Sequence, residues 1–292
     1  MDLLTNFVDY IMTPSAPVFI IGGLIVLLMP LLMHFWLTRS ATYTVLPSVL
    51  LAGPSGAGKT SLHTLFERRT SPSDTHTSQT PASIELAVSE NRASSYRDDL
   101  DATGATAVRF LMVDTPGHGK LRHHALGRLA PEPVQKNKLK AVVFVVDAAA
   151  LSEPNILADT AAYLYDVLLR LQKRMGSTKT SKAPYAIPVL IAANKMDLFT
   201  ALPAKLVKSN LEKELGRIRR TRSKGLLDSG VGSDDIAAGV DEADDWLGEY
   251  GSDEFKFDQM REFDIYVDVQ GGAVLGDKPD VDSWWKWVGK KL

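Results

Sequence analysis

The stretch LLAGPSGAGKTSLHTLF, Leu50–Phe66, sets three glycines, a lysine and a threonine between two apolar runs. Glycine costs ordering entropy, so a chain that interrupts its hydrophobic pattern this way needs backbone freedom there. Gly53, Gly58, Lys59 and Thr60 have the spacing G-x-x-x-x-G-K-[ST] of the phosphate-cradling loop between a strand and a helix. In such a loop the N–H groups of Gly56, Ala57, Gly58 and Lys59 wrap a β-phosphate at the positive end of the helix dipole. Lys59 reaches the β and γ oxygens, and Thr60 offers its hydroxyl to Mg²⁺. Pro54, Ser55 and Ser61 complete the candidate phosphate site. The loop alone leaves the base open.

Working outward, Tyr43–Ala52 reads as the strand before the loop, and the helix after it should run to about Arg68. Ser71–Ser83, rich in Ser, Thr and Pro, reads as a loop. Strands are expected at Ile84–Val88, Ala107–Val113, Leu139–Asp147 and Ile187–Asn194, with a last one in DIYVDVQGG, Asp264–Gly272. The tract SENRASSYRDDLDATGAT reads as an exposed hairpin connection. LKAVVFVVD and IPVLIAAN are nearly continuous apolar runs, as in strands covered on both faces. Helices are expected over Asn155–Met175, Pro203 to about Arg220, and Val281–Leu292. Strands alternating with helices predict an α/β fold, a mostly parallel six-stranded sheet flanked by helices. Its loops at the C-terminal sheet edge would carry the ligand.

Ala16–Leu37 is a run of 22 residues without Lys, Arg, Asp or Glu. At about 1.5 Å per residue it spans a ~30 Å hydrocarbon core, so a transmembrane helix is expected. Met1–Pro17 lacks the basic start of a cleaved signal peptide. Arg39 is the first basic residue, which puts residues 1–15 in the lumen and 38–292 in the cytosol. The chain has no cysteine, which excludes disulfides, Cys-ligated zinc and thiol catalysis. Its net charge of -2 gives no global attraction to nucleic acid, and no sequence-specific nucleic-acid partner is expected. Lys205–Lys224 carries eight Lys or Arg against two Glu, whereas Leu227–Glu254 carries ten Asp or Glu and no Lys or Arg. The acidic tract 227–254 reads as a disordered loop, and the basic one as solvated surface or a docking patch.

Two further motifs lie at strand ends. In DTPGHG, Asp114 can hold Mg²⁺ through water, and the Gly117 N–H can meet a γ-phosphate. Asp114–Arg122 is thus a candidate sensor, ordered by triphosphate and released by diphosphate. After IPVLIAAN come Asn194, Lys195, Met196 and Asp197. The Asp197 carboxylate can accept from N1–H and the N2 amino group of guanine, a donor pair adenine lacks, so GTP is the expected nucleotide.

In this order the motifs resemble the Ras-like small GTPases with their P-loop GTPase fold. GPSGAGKTSL, DTPGHGKLR, NKMD, the N-terminal anchor and KLVKSNLEKELGRIRRTRS resemble the signal recognition particle receptor beta-subunit family in particular. That resemblance implies a switch in the endoplasmic reticulum membrane whose GTP form binds the N-terminal domain of the receptor alpha subunit. It implies a ribosome or translocon only as an indirect partner. Two departures stand out. Where the family of small GTPases has Ser-Ala-Lys, this sequence offers Asp268, Val269 and Gln270, so the Val269 N–H is the expected guanine contact. In the first switch, Ser78 and Thr80 are both open as the magnesium ligand. His118 occupies the place of the water-orienting glutamine, either orienting water or idle, and there is no obvious arginine finger; whether the protein turns GTP over is left open. The alternatives are an Arf- or Sar-type trafficking GTPase, disfavoured because Ala16–Leu37 is apolar all round, and a structural receptor with GTP as a rarely hydrolysed cofactor.

Overall fold

The computed structural model describes residues 16–40, 46–68, 75–89, 95–97, 107–130, 138–176, 186–228, 246–248, 252, 254–276 and 278–292. The chain divides into two compact units, Met1–Thr44 and Val45–Leu292. In the first, Ala16–Ser40 forms one 25-residue helix, α1, with Pro30 inside it. Its described side chains from Phe19 to Trp36 are exposed, and all but His34 are apolar. Among residues with described side chains, no uninterrupted apolar helical stretch is long enough to cross a membrane.

The second unit contains β1 (Pro47–Ala52), α2 (Lys59–Arg68), β2 (Ala82–Val88), β3 (Val108–Asp114), α3 (His123–Leu129), β4 (Lys138–Asp147), α4 (Pro154–Gly176), β5 (Ile187–Asn194), α5 (Ala204–Asp228), β6 (Ile265–Gly271) and α6 (Asp282–Lys291). The sheet order is β2-β3-β1-β4-β5-β6. Only β2 runs antiparallel, paired with β3. This is the expected P-loop GTPase architecture, and the period-2 alternation of the strands builds two cores. Leu50, Phe144 and Ile191 face α4 and α5, while Val49, Val143 and Leu190 face α2 and α6. Burial on both faces is why these strands carry no polar alternation.

Several boundaries differ from the sequence reading. β1 starts at Pro47, residues 43–45 lying outside the described set. α5 continues to Asp228, eight residues past Arg220, running through Gly225 without ending there. The acidic tract is not disordered throughout. Residues 229–245 lie outside the described residues, but Leu247 is fully buried. Arg219, itself buried, donates to the Leu247 carbonyl at 3.2 Å and to the Ser252 carbonyl, and stacks 4.7 Å from the Trp246 ring. Gln172 grips the same strip, giving Nε2–H to Trp246 O at 2.8 Å and accepting Gly248 N–H at 3.0 Å. Likewise Tyr96, in the tract read as an exposed connection, is buried against Phe66, with ring centroids 5.7 Å apart.

Candidate nucleotide site

Parallel pairing of β1 with β3 sets Leu51 opposite Asp114, so the glycine loop and the D-T-P-G turn leave the sheet side by side. Thr115 fastens them, its hydroxyl donating to Leu51 O at 2.6 Å. Gly53, Gly56 and Gly58 all have positive φ, at 137°, 77° and 95°. Two of these glycines are also required by space. A Cβ on Gly53 would stand 2.2 Å from Val145 O, and one on Gly58 2.2 Å from Asn194 Nδ2.

The loop and the start of α2 border a cavity of about 300 Å³, together with Gly117, Asn194 and Lys195. Ser55, Gly56, Gly58, Lys59, Thr60 and Ser61 supply its phosphate end. Lys59 is 5% exposed and donates from Nζ to Pro54 O at 2.8 Å. Burial pulls its ammonium down to about 8, against the attraction of Asp114, which raises it. Thr60 Oγ1–H donates to Asp114 Oδ2 at 2.8 Å, while Asp114 Oδ1 is buried without a partner. Burial raises the Asp114 carboxyl above the usual carboxylate range, opposed by the Thr60 hydrogen bond and Lys59. A half-buried hydroxyl facing a carboxylate with one oxygen unpaired among the described residues suits a hard cation that also takes phosphate oxygens and water. Among the described residues no group of three or more His, Cys, Asp or Glu gathers, here or elsewhere.

The base end is organised by Asn194. Its Nδ2–H donates to Ala57 O at 2.8 Å, and its Oδ1 accepts Val274 N–H at 3.0 Å. One amide thereby joins the phosphate loop, the end of β5 and the loop after β6. Lys195 sits at φ 65° and is held by a 2.6 Å pair with Asp147 Oδ2. Asp197 is exposed on the turn that follows.

Other expected residues fall elsewhere. Val269 lies within β6, paired with Ile191, and does not border the cavity. Its neighbours serve helix packing: Asp268 Oδ2 accepts Trp287 Nε1–H at 2.7 Å, and Gln270 O accepts Trp284 Nε1–H at 3.3 Å. The chain that reaches the cavity comes five to six residues later, where Val274 meets Asn194 and Leu275 lines the wall. The Gly272–Gly276 run, GAVLG, was the signal for that turn. Ser78 lines the cavity and Thr80 does not; Ser78 Oγ–H donates to Thr80 O at 2.9 Å. His118 is exposed and outside the cavity lining. Arg122 is engaged elsewhere, 2.7 Å from Asp159 and 4.6 Å above the Tyr163 ring.

The sequence model for the signal recognition particle receptor beta subunit matches residues 44–263. The chain belongs to that family. The Saccharomyces cerevisiae signal recognition particle receptor subunit beta is 31% identical over 248 residues, 84% of each chain. The Homo sapiens beta subunit is 32% identical over 270 residues, 91% of this chain and 83% of that one. Among solved structures, the Chaetomium thermophilum receptor SRb-GTP/SRX complex superposes with a TM-score of 0.71 at 49% identity, over 84% of this chain and 100% of that chain. The SRb-GDP-Mg structure from the same organism gives 0.64 at 51% identity, over 86% and 100%. This family member therefore shares its six-stranded GTPase fold with beta subunits solved with guanine nucleotides.

Proposed function

We propose that the protein is a membrane-anchored GTP-binding switch, the beta subunit of the signal recognition particle receptor. In its GTP state it binds the N-terminal domain of the alpha subunit for co-translational targeting to the endoplasmic reticulum. The observation that carries the nucleotide reading is the Asn194 bridge, which fixes the base loops to the phosphate loop around one cavity. Relatives solved with GTP, GDP and Mg support it. The amides of Gly56–Lys59 and the Lys59 ammonium hold the β- and γ-phosphates. Thr60, Asp114 through water, and Ser78 serve Mg²⁺, which neutralises phosphate charge when bound. Gly117 contacts the γ-phosphate, where a Cβ would press to 2.6 Å on Gly53 O and Lys59 Nζ. Asn194, Lys195 and Asp197 take guanine, with the Val274–Leu275 backbone in the place first assigned to Val269.

The 25-residue length of α1, about 37 Å at 1.5 Å per residue, supports the anchor, with the GTPase unit on the cytosolic side. A second reading, GTP as a bound and rarely hydrolysed cofactor, is favoured by the outward His118 and the engaged Arg122. The test uses full-length protein extracted in detergent. Retention of the alpha subunit's N-terminal domain with GTP and its loss with GDP is expected. Equal retention with both nucleotides sinks the switch, and equal affinity for ATP sinks the guanine site.

A further inference from the structure

We propose that the groove between α5 and the Ala150–Leu157 segment docks an acidic, apolar-anchored peptide segment of a partner protein. A cavity of about 560 Å³ lies there, floored by Leu151, Pro154, Leu157 and Leu202. Its charged rim comes from α5: Lys213, Arg217 and Arg220 against Glu214 alone. Glu214 is already satisfied, accepting Arg217 Nε–H at 3.0 Å and Nη2–H at 2.5 Å. The surplus cations are Lys213 and Arg220, two turns apart and so about 10 Å along the same helix face. Both are exposed. They also border a second hollow of about 270 Å³ on the other flank of α5, where Lys256 and Glu254 flank Phe255 and offset each other, so that the surplus stays with Lys213 and Arg220. Glu212 beside that hollow is turned to the Phe257 N–H at 3.0 Å. α5 thus presents a cationic ridge with an apolar trough alongside.

The shape selects the occupant. Leu151 is buried at the bottom of the trough, and the half-buried Leu157 and Leu202 along it offer apolar surface that a flat bilayer does not enter but a leucine side chain can. An RNA strand needs a longer run of cations than this ridge supplies, on a chain of net charge -2. Carboxylates spaced by two helical turns, flanking one or two leucines, match both the ridge and the trough. The groove shares no lining residue with the nucleotide cavity, so nucleotide binding is an independent control.

The test is fluorescence anisotropy on the full-length protein in detergent, with a short labelled helical peptide carrying glutamates around two leucines. Saturable binding is expected, weakened at least ~10-fold by Lys213→Glu with Arg220→Glu. Replacing both peptide leucines by glutamine should weaken it similarly, with affinity for a fluorescent GDP analogue unchanged throughout. If the double reversal loses GDP binding, Lys213→Gln with Arg220→Gln replaces it and should weaken the peptide in the same direction. The proposal is overturned by absence of saturable binding, by equal binding to the altered ridge, or by equal binding of the leucine-free peptide. Displacement of the peptide by phosphatidylserine vesicles or oligouridylate at matched charge overturns it as well, in favour of lipid or RNA.

Discussion

Lys59 gives the proposed nucleotide site a pH signature that can be worked through. In the free protein its ammonium is buried, paired only with the Pro54 carbonyl and the nearby Asp114, and titrates at about 8 rather than 10.5. The lowered value means that the free protein carries fewer protons than an unfolded chain between those two pH values. The buried charge therefore costs stability below about pH 8, and the cost is relieved as pH rises toward 10.5. At ~1.4 kcal/mol per pKa unit the full effect is about 3 kcal/mol. Diphosphate oxygens at Nζ would restore the proton. GDP, whose phosphates are fully ionised above about pH 7, should then take up about half a proton on binding at pH 8 and nearly a whole one at about pH 9. The dissociation constant should rise about tenfold from pH 7 to pH 9. Burial keeps Tyr163 un-ionised up to about 12, so its phenol adds no proton change in this window. Calorimetric titration of nucleotide-free protein in two buffers of different ionisation enthalpy measures the uptake directly. A pH-independent affinity with no proton uptake would refute the placement of Lys59 on the phosphates. Lys59→Met should abolish the pH dependence together with most of the affinity.

Gly53→Ala should lower the unfolding free energy by at least ~2 kcal/mol, since a Cβ at φ 137° would meet Val145 O at 2.2 Å; an unchanged melting temperature would show that the turn relaxes freely. Asp197→Asn should move preference from guanosine to xanthosine nucleotides in competition binding, and unchanged GTP selectivity would remove Asp197 from the base site. Leu275→Ala should weaken GDP by about 1 kcal/mol, because this side chain, 46% exposed when the site is free, would be covered by the base. Val269→Ala trims side-chain packing and keeps the backbone N–H, so it should lower the melting temperature and leave GDP affinity unchanged. His118→Ala should leave single-turnover GTP hydrolysis without partner within about threefold of the parent, given its outward position; a ~100-fold loss would make it the water-orienting group.

The sheet was legible because its strands are buried on both faces. Runs such as Val142–Val146 and Val189–Ala193 have no polar residue to misplace, and the second leads straight into Asn194. What escaped was set by side chains acting across long separations. Tyr96 belongs to the core through Phe66 and Trp285, and nothing near it in a polar tract indicates that. The end of the acidic tract is ordered by a guanidinium 28 residues upstream, Arg219, whose charge reads locally as solvated surface. Composition reports how a segment meets water; it does not report a buried cation that gathers distant carbonyls.

The candidate site divides along the same line. The phosphate loop was legible because backbone geometry imposes it: three positive-φ glycines and a lysine at fixed offsets leave little freedom. Asn194 could be placed because it ends a strand, but its task of holding Val274 and Ala57 together depends on the register of β6 against β5. The sequence reading placed the backbone contact at Val269, within β6, whereas the chain that meets Asn194 and lines the cavity is Val274–Leu275, beyond the end of that strand. The switch segments follow neither rule. Ser61 touches Thr75 at 3.0 Å and Ser78 turns to Thr80, contacts between hydroxyls on short polar residues that encode no single arrangement. A ligand's charge can reorganise such contacts at low cost, whereas the buried Asn194 bridge has to exist beforehand, since breaking it would strand paired groups away from water. The binding half of the site is therefore written into the fold. The half that would respond to the γ-phosphate is left to the ligand, which is the division of labour a switch requires.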